Sequence, residues 1–138
     1  MPKDYSKDLI NYRLERAAEC LRDARDDLGA DSLYSAANRI YYAVFQSMRA
    51  ALARDGVDFS KHSGVIAYFR KQYIKTGLIA KEYSDLIRNA ESIRSESDYS
   101  DFFTPEKEEL EWLMKNAQEF WNAIKTIVAQ SENGNTNE

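Results

Sequence analysis

Histidine and cysteine are almost absent from this chain, which has one of each. That scarcity removes most metal chemistry and any internal disulfide. Cys20, alone on an apolar-leaning helical stretch, reads as a small buried hydrophobe. Proline occurs twice and glycine five times in 138 residues, so helices can run long between few stops. No apolar run approaches the ~20 residues that span a bilayer, and the charged N-terminal stretch lacks the hydrophobic centre of a secretion signal. A cytoplasmic protein with no membrane association is expected. A glycine-rich phosphate loop is missing, as is the Glu-x-x-His pair of a bundle metal site. The sequence therefore asks for no metal and no cofactor. A Ser-His-Asp triad has no support beyond Ser63 standing next to His62.

What is present is enough apolar residue for one core. Hydrophobic residues make up 43% and charged residues 30%, the balance of a globular domain of this length. The net charge of −4 is unevenly spread. Between Arg39 and Arg94 stand ten Lys/Arg and five Asp/Glu, whereas the two flanks together hold nine basic and eighteen acidic residues. Such a basic centre reads either as a phosphate-binding face or as ordinary solvated helix charge.

The chain is organised around residues 31–56. Ala37, Ile40, Tyr41, Val44, Phe45, Met48, Ala51 and Leu52 recur at three and four, and Ala36, Tyr42, Ala43 and Ala50 widen the stripe. So little polar surface predicts the central helix of a bundle, capped by Asp31 and stopped by Gly56. A first helix over 4–28 carries Ile10, Leu14, Ala17, Leu21, Ala24 and Leu28, with Gly29 as its stop. A third is expected from His62, with Ser60 as its cap, to Thr76, closed by Gly77. A fourth follows from Ala80 to Tyr99. Thr104-Pro105-Glu106 reads as cap, first-turn proline and acidic first turn of a fifth helix ending near Gln130. Residues 131–138 have nothing to bury and are expected to form a disordered tail. The fold class is all-α: an up-and-down antiparallel bundle of four long helices and one shorter one, a single domain over 1–130.

Antiparallel geometry gathers one polar cluster. With the third and fourth helices folded about Gly77–Ile79, His62 stands level with Arg94. Arg94 and Asp98 share a face, and Glu91 lies one turn earlier. One reading is a surface ion pair beside a histidine; such pairs contribute little. The other is a cationic pocket in which Arg94 holds a phosphate, His62 moves a proton, and Tyr99 supplies a hydroxyl. Lys61 and Asp98 are candidate ligand contacts. Asn38 is a third, although strict up-and-down geometry sets it toward the opposite end from His62, where a satisfied amide explains it equally well.

The runs AANRIYYAVFQSMRAAL, KHSGVIAYFRKQYIKTG and RSESDY, in that order, resemble the HEPN domain family (higher eukaryotes and prokaryotes nucleotide-binding), in its small stand-alone prokaryotic branch. The resemblance spans roughly residues 5–128. It implies a helical bundle that pairs into a two-fold homodimer. It also implies partnership with a minimal nucleotidyltransferase carried on a separate chain, in toxin–antitoxin or defence modules. Many members are metal-independent endoribonucleases with an Arg-x4–6-His motif on a late helix, where the histidine transfers protons and the arginine steadies the phosphate. This chain departs from that pattern. Arg94 is followed five positions later by Tyr99, and the lone histidine precedes the arginine. With a reference pKa of ~10, tyrosine is a weak base at neutral pH. Two readings therefore stand: a non-catalytic binding or regulatory module that docks a nucleotidyltransferase or a nucleotide, which the altered motif favours, and a ribonuclease toxin in which His62 reaches Arg94 through space.

Overall fold

A computed structural model describes residues 2–136, with side chains from Ser6 to Gln130. Five α-helices and no strand occur among them: α1 (Pro2–Gly29), α2 (Leu33–Arg54), α3 (His62–Phe69), α4 (Tyr83–Tyr99) and α5 (Lys107–Thr136). The expected tail at 131–138 lies outside the residues whose side chains are described. No helix of the described residues is long and apolar enough to cross a membrane.

The apolar stripe of α2 does what its width requires. Ala36, Ile40, Val44, Met48, Ala51 and Leu52 are all buried, and α2 touches each of the other four helices, α1 most extensively. The 3–4 seam of α1 is buried from Ile10 to Leu28. Leu110, Leu113, Ala117, Phe120 and Ile124 bury the matching seam of α5. The four long helices alternate in direction. Trp121 Nε1 donates to the Leu14 carbonyl across α5 and α1 at 2.9 Å, and the rings of Tyr83 and Phe120 meet where α4 begins, 5.2 Å apart.

Several helix ends differ from expectation, each for a local reason. α1 is stopped by Asp31 rather than Gly29. Asp31 takes the left-handed conformation (φ 57°), and the Ser32 and Asp31 N–H groups reach back to the Asp27 and Leu28 carbonyls at 2.8 and 3.2 Å. This is the six-to-one, five-to-two closure that an aspartate can adopt in place of glycine. Asp31 consequently does not cap α2; Ser32 holds that position without a side-chain bond, and the Asp31 carboxylate pairs with Lys107 Nζ at 2.8 Å. Gly56 makes the same closure at the end of α2 (φ 74°), as expected. Lys61, not Ser60, precedes α3. Thr104 does not cap α5, because its hydroxyl is used by Tyr34 at 3.2 Å, and the helix starts two residues beyond Pro105.

The third helix departs most. It ends at Phe69 and passes into a π-helical turn, Arg70–Ile74, and α4 starts at Tyr83 instead of Ala80. Its direction also matters. His62 packs on Tyr41 and Phe45 near the first half of α2, whereas Tyr73 bonds the Ala51 carbonyl and Asp55 near its end. α3 therefore runs in the same sense as α2, and the connection 55–61 travels back along α2 before α3 begins. Asp58 pins that return: Arg13 of α1 and Arg49 of α2 both reach its Oδ2 at 3.1 Å. Arg13 is itself buried and also donates to the Arg49 carbonyl at 3.0 Å. Gly64 completes the fit, since a Cβ there would stand 3.0 Å from the Phe59 side chain.

Candidate functional site

Because the 55–61 return is long enough to reach mid-bundle, α3 starts beside Tyr41 and Tyr42 of α2. Because α4 runs back along α2, Arg94 arrives at the same two rings. His62 Nδ1 lies 2.9 Å from Tyr41 Oη, and its ring centre is 4.0 Å from that of Phe45. The Arg94 guanidinium carbon lies 5.0 Å from the Tyr41 ring centre and 5.7 Å from that of Tyr42, cation–π distances. A terminal nitrogen of Arg94 donates to Tyr42 Oη at 3.4 Å. His62 and Arg94 thus flank one aromatic pair. That is the level pairing expected from folding about Gly77, which itself takes a positive φ of 82°.

The electrostatics follow from burial and cations. Burial first, then Arg94 and Arg49, hold the His62 pKa below its ordinary 6.5 against the opposing pull of Glu91. The imidazole is accordingly neutral at pH 7. Burial, aided by Glu91, pushes the Tyr41 hydroxyl up to about 12, so it keeps its proton and can serve Nδ1 as a neutral hydrogen-bond partner. Asp98 Oδ2 stands 3.2 Å from Arg94 Nε, an ion pair by distance. The N–H does not point at the carboxylate, however, and Arg94 Nε remains buried without a hydrogen bond, as does Ser97 Oγ. A guanidinium, a neutral imidazole and two tyrosine hydroxyls thus form one polar cluster, with the Asp98 carboxylate on the guanidinium and Glu91 close by.

The remaining candidates do not all join it: Tyr99, expected in the same pocket, lies five residues beyond Arg94 on α4 and so on another face of that helix. Lys61 is exposed immediately before His62. Tyr99 is 81% exposed at the end of α4, where Phe102 follows at 98%. Asn38 lies one turn before Tyr42 on α2 and lines a cleft with it. Its expected place at the opposite end of the bundle is therefore overturned, by the returning loop that starts α3 halfway along α2. Tyr41 and Tyr42 were legible only as core residues. The signal for more was their adjacency: a buried tyrosine needs a partner for its hydroxyl, and two neighbours aim that need at two elements. Among the described residues no three His, Cys, Asp or Glu side chains are grouped so as to hold a metal ion. Within the basic centre, Arg49, Arg54 and Arg88 are paired with Asp58, Asp55 and Asp85.

Comparison with known proteins agrees with this architecture. The chain is 38% identical over 120 residues to a UPF0332 protein of Thermotoga maritima, covering 87% of this chain and 91% of that one. It is 33% identical over 129 residues to a Methanocaldococcus jannaschii protein named "Putative toxin MJ0142", covering 89% and 87% of the two. A second protein of that organism, named "Putative toxin MJ0605", is 31% identical over 132 residues, 90% of this chain and 98% of the other. The family model described as HEPN domain matches residues 10–127, nearly the whole of the bundle, and the chain belongs to the HEPN domain family.

Proposed function

We propose that this chain is a toxin-type HEPN module that grips single-stranded RNA at Arg94 and cleaves it with His62, without a metal ion. The observation that carries the reading is the meeting of His62 and Arg94 on the Tyr41–Tyr42 pair. It supports an arginine–histidine couple that acts through space and not through the spacing before Tyr99. In the tautomer that donates Nδ1–H to Tyr41 Oη, Nε2 of the neutral ring keeps its lone pair, and that is the tautomer this reaction uses. Nε2 then takes the proton of an RNA 2′-hydroxyl as that oxygen attacks the adjacent phosphorus. The bond from phosphorus to the 5′-oxygen breaks, the leaving oxygen takes a proton from the imidazolium, and a 2′,3′-cyclic phosphate remains. Arg94 offsets the charge on the non-bridging oxygens, and Lys61 adds positive potential at the mouth. The toxin names of the two Methanocaldococcus relatives support this reading.

A second reading, docking of a minimal nucleotidyltransferase, has its own observation in the exposed Tyr99 and Phe102 at the α4 end. The two are compatible: a partner seated there would stand beside Asp98 and over the approach to Arg94. We further propose a cytoplasmic homodimer as the working form. The test is cleavage of a labelled single-stranded RNA. Arg94→Ala and His62→Ala should each abolish it, EDTA should not, and the product should carry a cyclic phosphate. Cleavage that survives His62→Ala, or that EDTA stops, removes the catalytic part of the proposal.

A further inference from the structure

We infer that the cleft between α1 and α2 bordered by Tyr42 is a nucleobase subsite serving the Arg94–His62 site. The inference rests on the phosphate-binding reading above and extends the site to residues it does not use. Tyr42 is the shared wall: its hydroxyl receives Arg94, and the same side chain lines a cleft of about 250 Å3 with Arg16, Cys20, Asn38, Arg39 and Gln46. Asn38, Tyr42 and Gln46 succeed one another at intervals of four, so they form one stripe of α2, facing Arg16 and Cys20 at the same interval on α1.

Three features point to an aromatic heterocycle attached to a phosphate. The side-chain amides of Asn38 and Gln46 are half-buried, and among the described residues neither is engaged in a contact. Open to solvent and, among the described residues, without a protein partner, each amide presents both a donor and an acceptor to a base edge. The volume lies below the ~300–1,000 Å3 of sites for drug-sized ligands, so it takes one flat ring system rather than a whole nucleotide. Charge then sets the orientation. Arg39 pairs with Asp23 at 3.9 Å, both side chains about half exposed, and Arg16 stands on the facing helix, so two guanidinium groups are offered to the continuing strand beside the Asp23 and Glu19 carboxylates. Cys20 supplies a neutral floor, its thiol pushed above the ordinary range by burial. A base whose edges are already paired cannot use the amides, so the substrate is single-stranded RNA.

Calorimetric titration of the intact chain with adenosine and uridine 3′-monophosphates, against ribose phosphate lacking a base, tests this. At least one nucleotide should bind about tenfold tighter than ribose phosphate, near the net contribution of one or two hydrogen bonds. Asn38→Ala combined with Gln46→Ala should erase that advantage and leave ribose phosphate affinity unchanged. Arg94→Ala should weaken both ligands together. Equal affinity of the unsubstituted chain for both ligand types overturns the subsite while the phosphate reading stands. So does an advantage that survives the double substitution. Failure of every phosphate to bind sinks the phosphate reading and the subsite with it. If the double substitution splits a dimer in light scattering yet leaves the nucleotide preference intact, the cleft belongs to a second copy of the chain and the subsite is wrong.

Discussion

Two clusters of tyrosine, arginine and carboxylate lie along α2, and they differ in one respect. At its C-terminal end, Asp55 accepts from Tyr73 at 2.9 Å and Tyr68 at 3.1 Å and is paired with Arg54, whose guanidinium lies 5.2 Å from the Tyr73 ring centre. One carboxylate sits among the donors and satisfies them. Around Tyr41 the same residue types recur, with Arg94 5.0 Å from the ring centre, yet a histidine stands where the central carboxylate would be. Asp98 and Glu91 remain at the margin, and Arg94 Nε is left without a hydrogen bond. The first arrangement is a closed lock between α2, α3 and the π-helical turn. The second has a neutral imidazole at its centre, and its carboxylates, Asp98 and Glu91, stand to one side of the arginine. The two clusters differ in the residue at their centre, a carboxylate that satisfies its donors against an imidazole that can carry a proton.

The largest expected effect comes from destroying the wall that supports the open cluster. Phe45 is 5% exposed beneath His62, and Phe45→Asp would bury an unpaired carboxylate at a cost of several kcal/mol, against the ~5–15 of a whole domain. The variant should show no cooperative thermal transition; a native melting temperature would show that α2 is not the core helix. Next, Asp55→Ala and Arg94→Ala set the two clusters directly against each other. Asp55→Ala leaves the Tyr68 hydroxyl and Arg54 without their partner, and Tyr73 with the Ala51 carbonyl alone, and should cost about 1–2 kcal/mol in urea unfolding while leaving RNA affinity alone. Arg94→Ala should cost about 1 kcal/mol or less, because its ion pair with Asp98 is partly exposed, yet weaken RNA binding at least about tenfold. Equal effects of the two variants on both measurements would erase the distinction.

The smallest effect is the pH dependence contributed by His62. Its folded pKa is lowered, so the unfolded chain takes up the proton first as pH falls through 6.5. Stability from this group is therefore complete above 6.5, declines below it, and stops declining once the folded imidazole is also protonated. Urea midpoints between about pH 8 and about pH 5 should show a steeper fall for the unsubstituted chain than for His62→Gln. Parallel curves would mean that the ring is not held neutral by its neighbours.

Much of this was legible in the chain. Apolar residues at three and four can only be buried along one side of a helix, which determined the number of helices, the centrality of α2 and the closure at Gly56. Counting equally on both sides of Gly77–Ile79 also set His62 level with Arg94, although the connection is longer than that count assumed, from Ile74 to Tyr83, and the two side chains meet on α2 and not across a tight hairpin. The ends of α1 and α5 were not legible. Asp31 adopts the left-handed conformation only because Ser32 can reach back to Asp27, and the Thr104 hydroxyl is diverted by a tyrosine seventy residues earlier in the chain. Sequence spacing carries no information about such distant partners.

The site divides in the same way. The sequence by itself determined an all-α bundle and too few histidines and cysteines for a zinc site, and it pointed to His62, Arg94 and Tyr99 as one pocket, of which only the first two meet on the Tyr41–Tyr42 pair. Tertiary structure alone decided that α3 runs alongside α2, because the path of the 55–61 return depends on Asp58 finding Arg13 and Arg49 on two different helices. From that one turn of the chain follow the neutral histidine on Tyr41, the shared wall of Tyr42 and the nearness of Asn38. Periodicity fixes which face a residue occupies; only packing fixes which other element that face will meet.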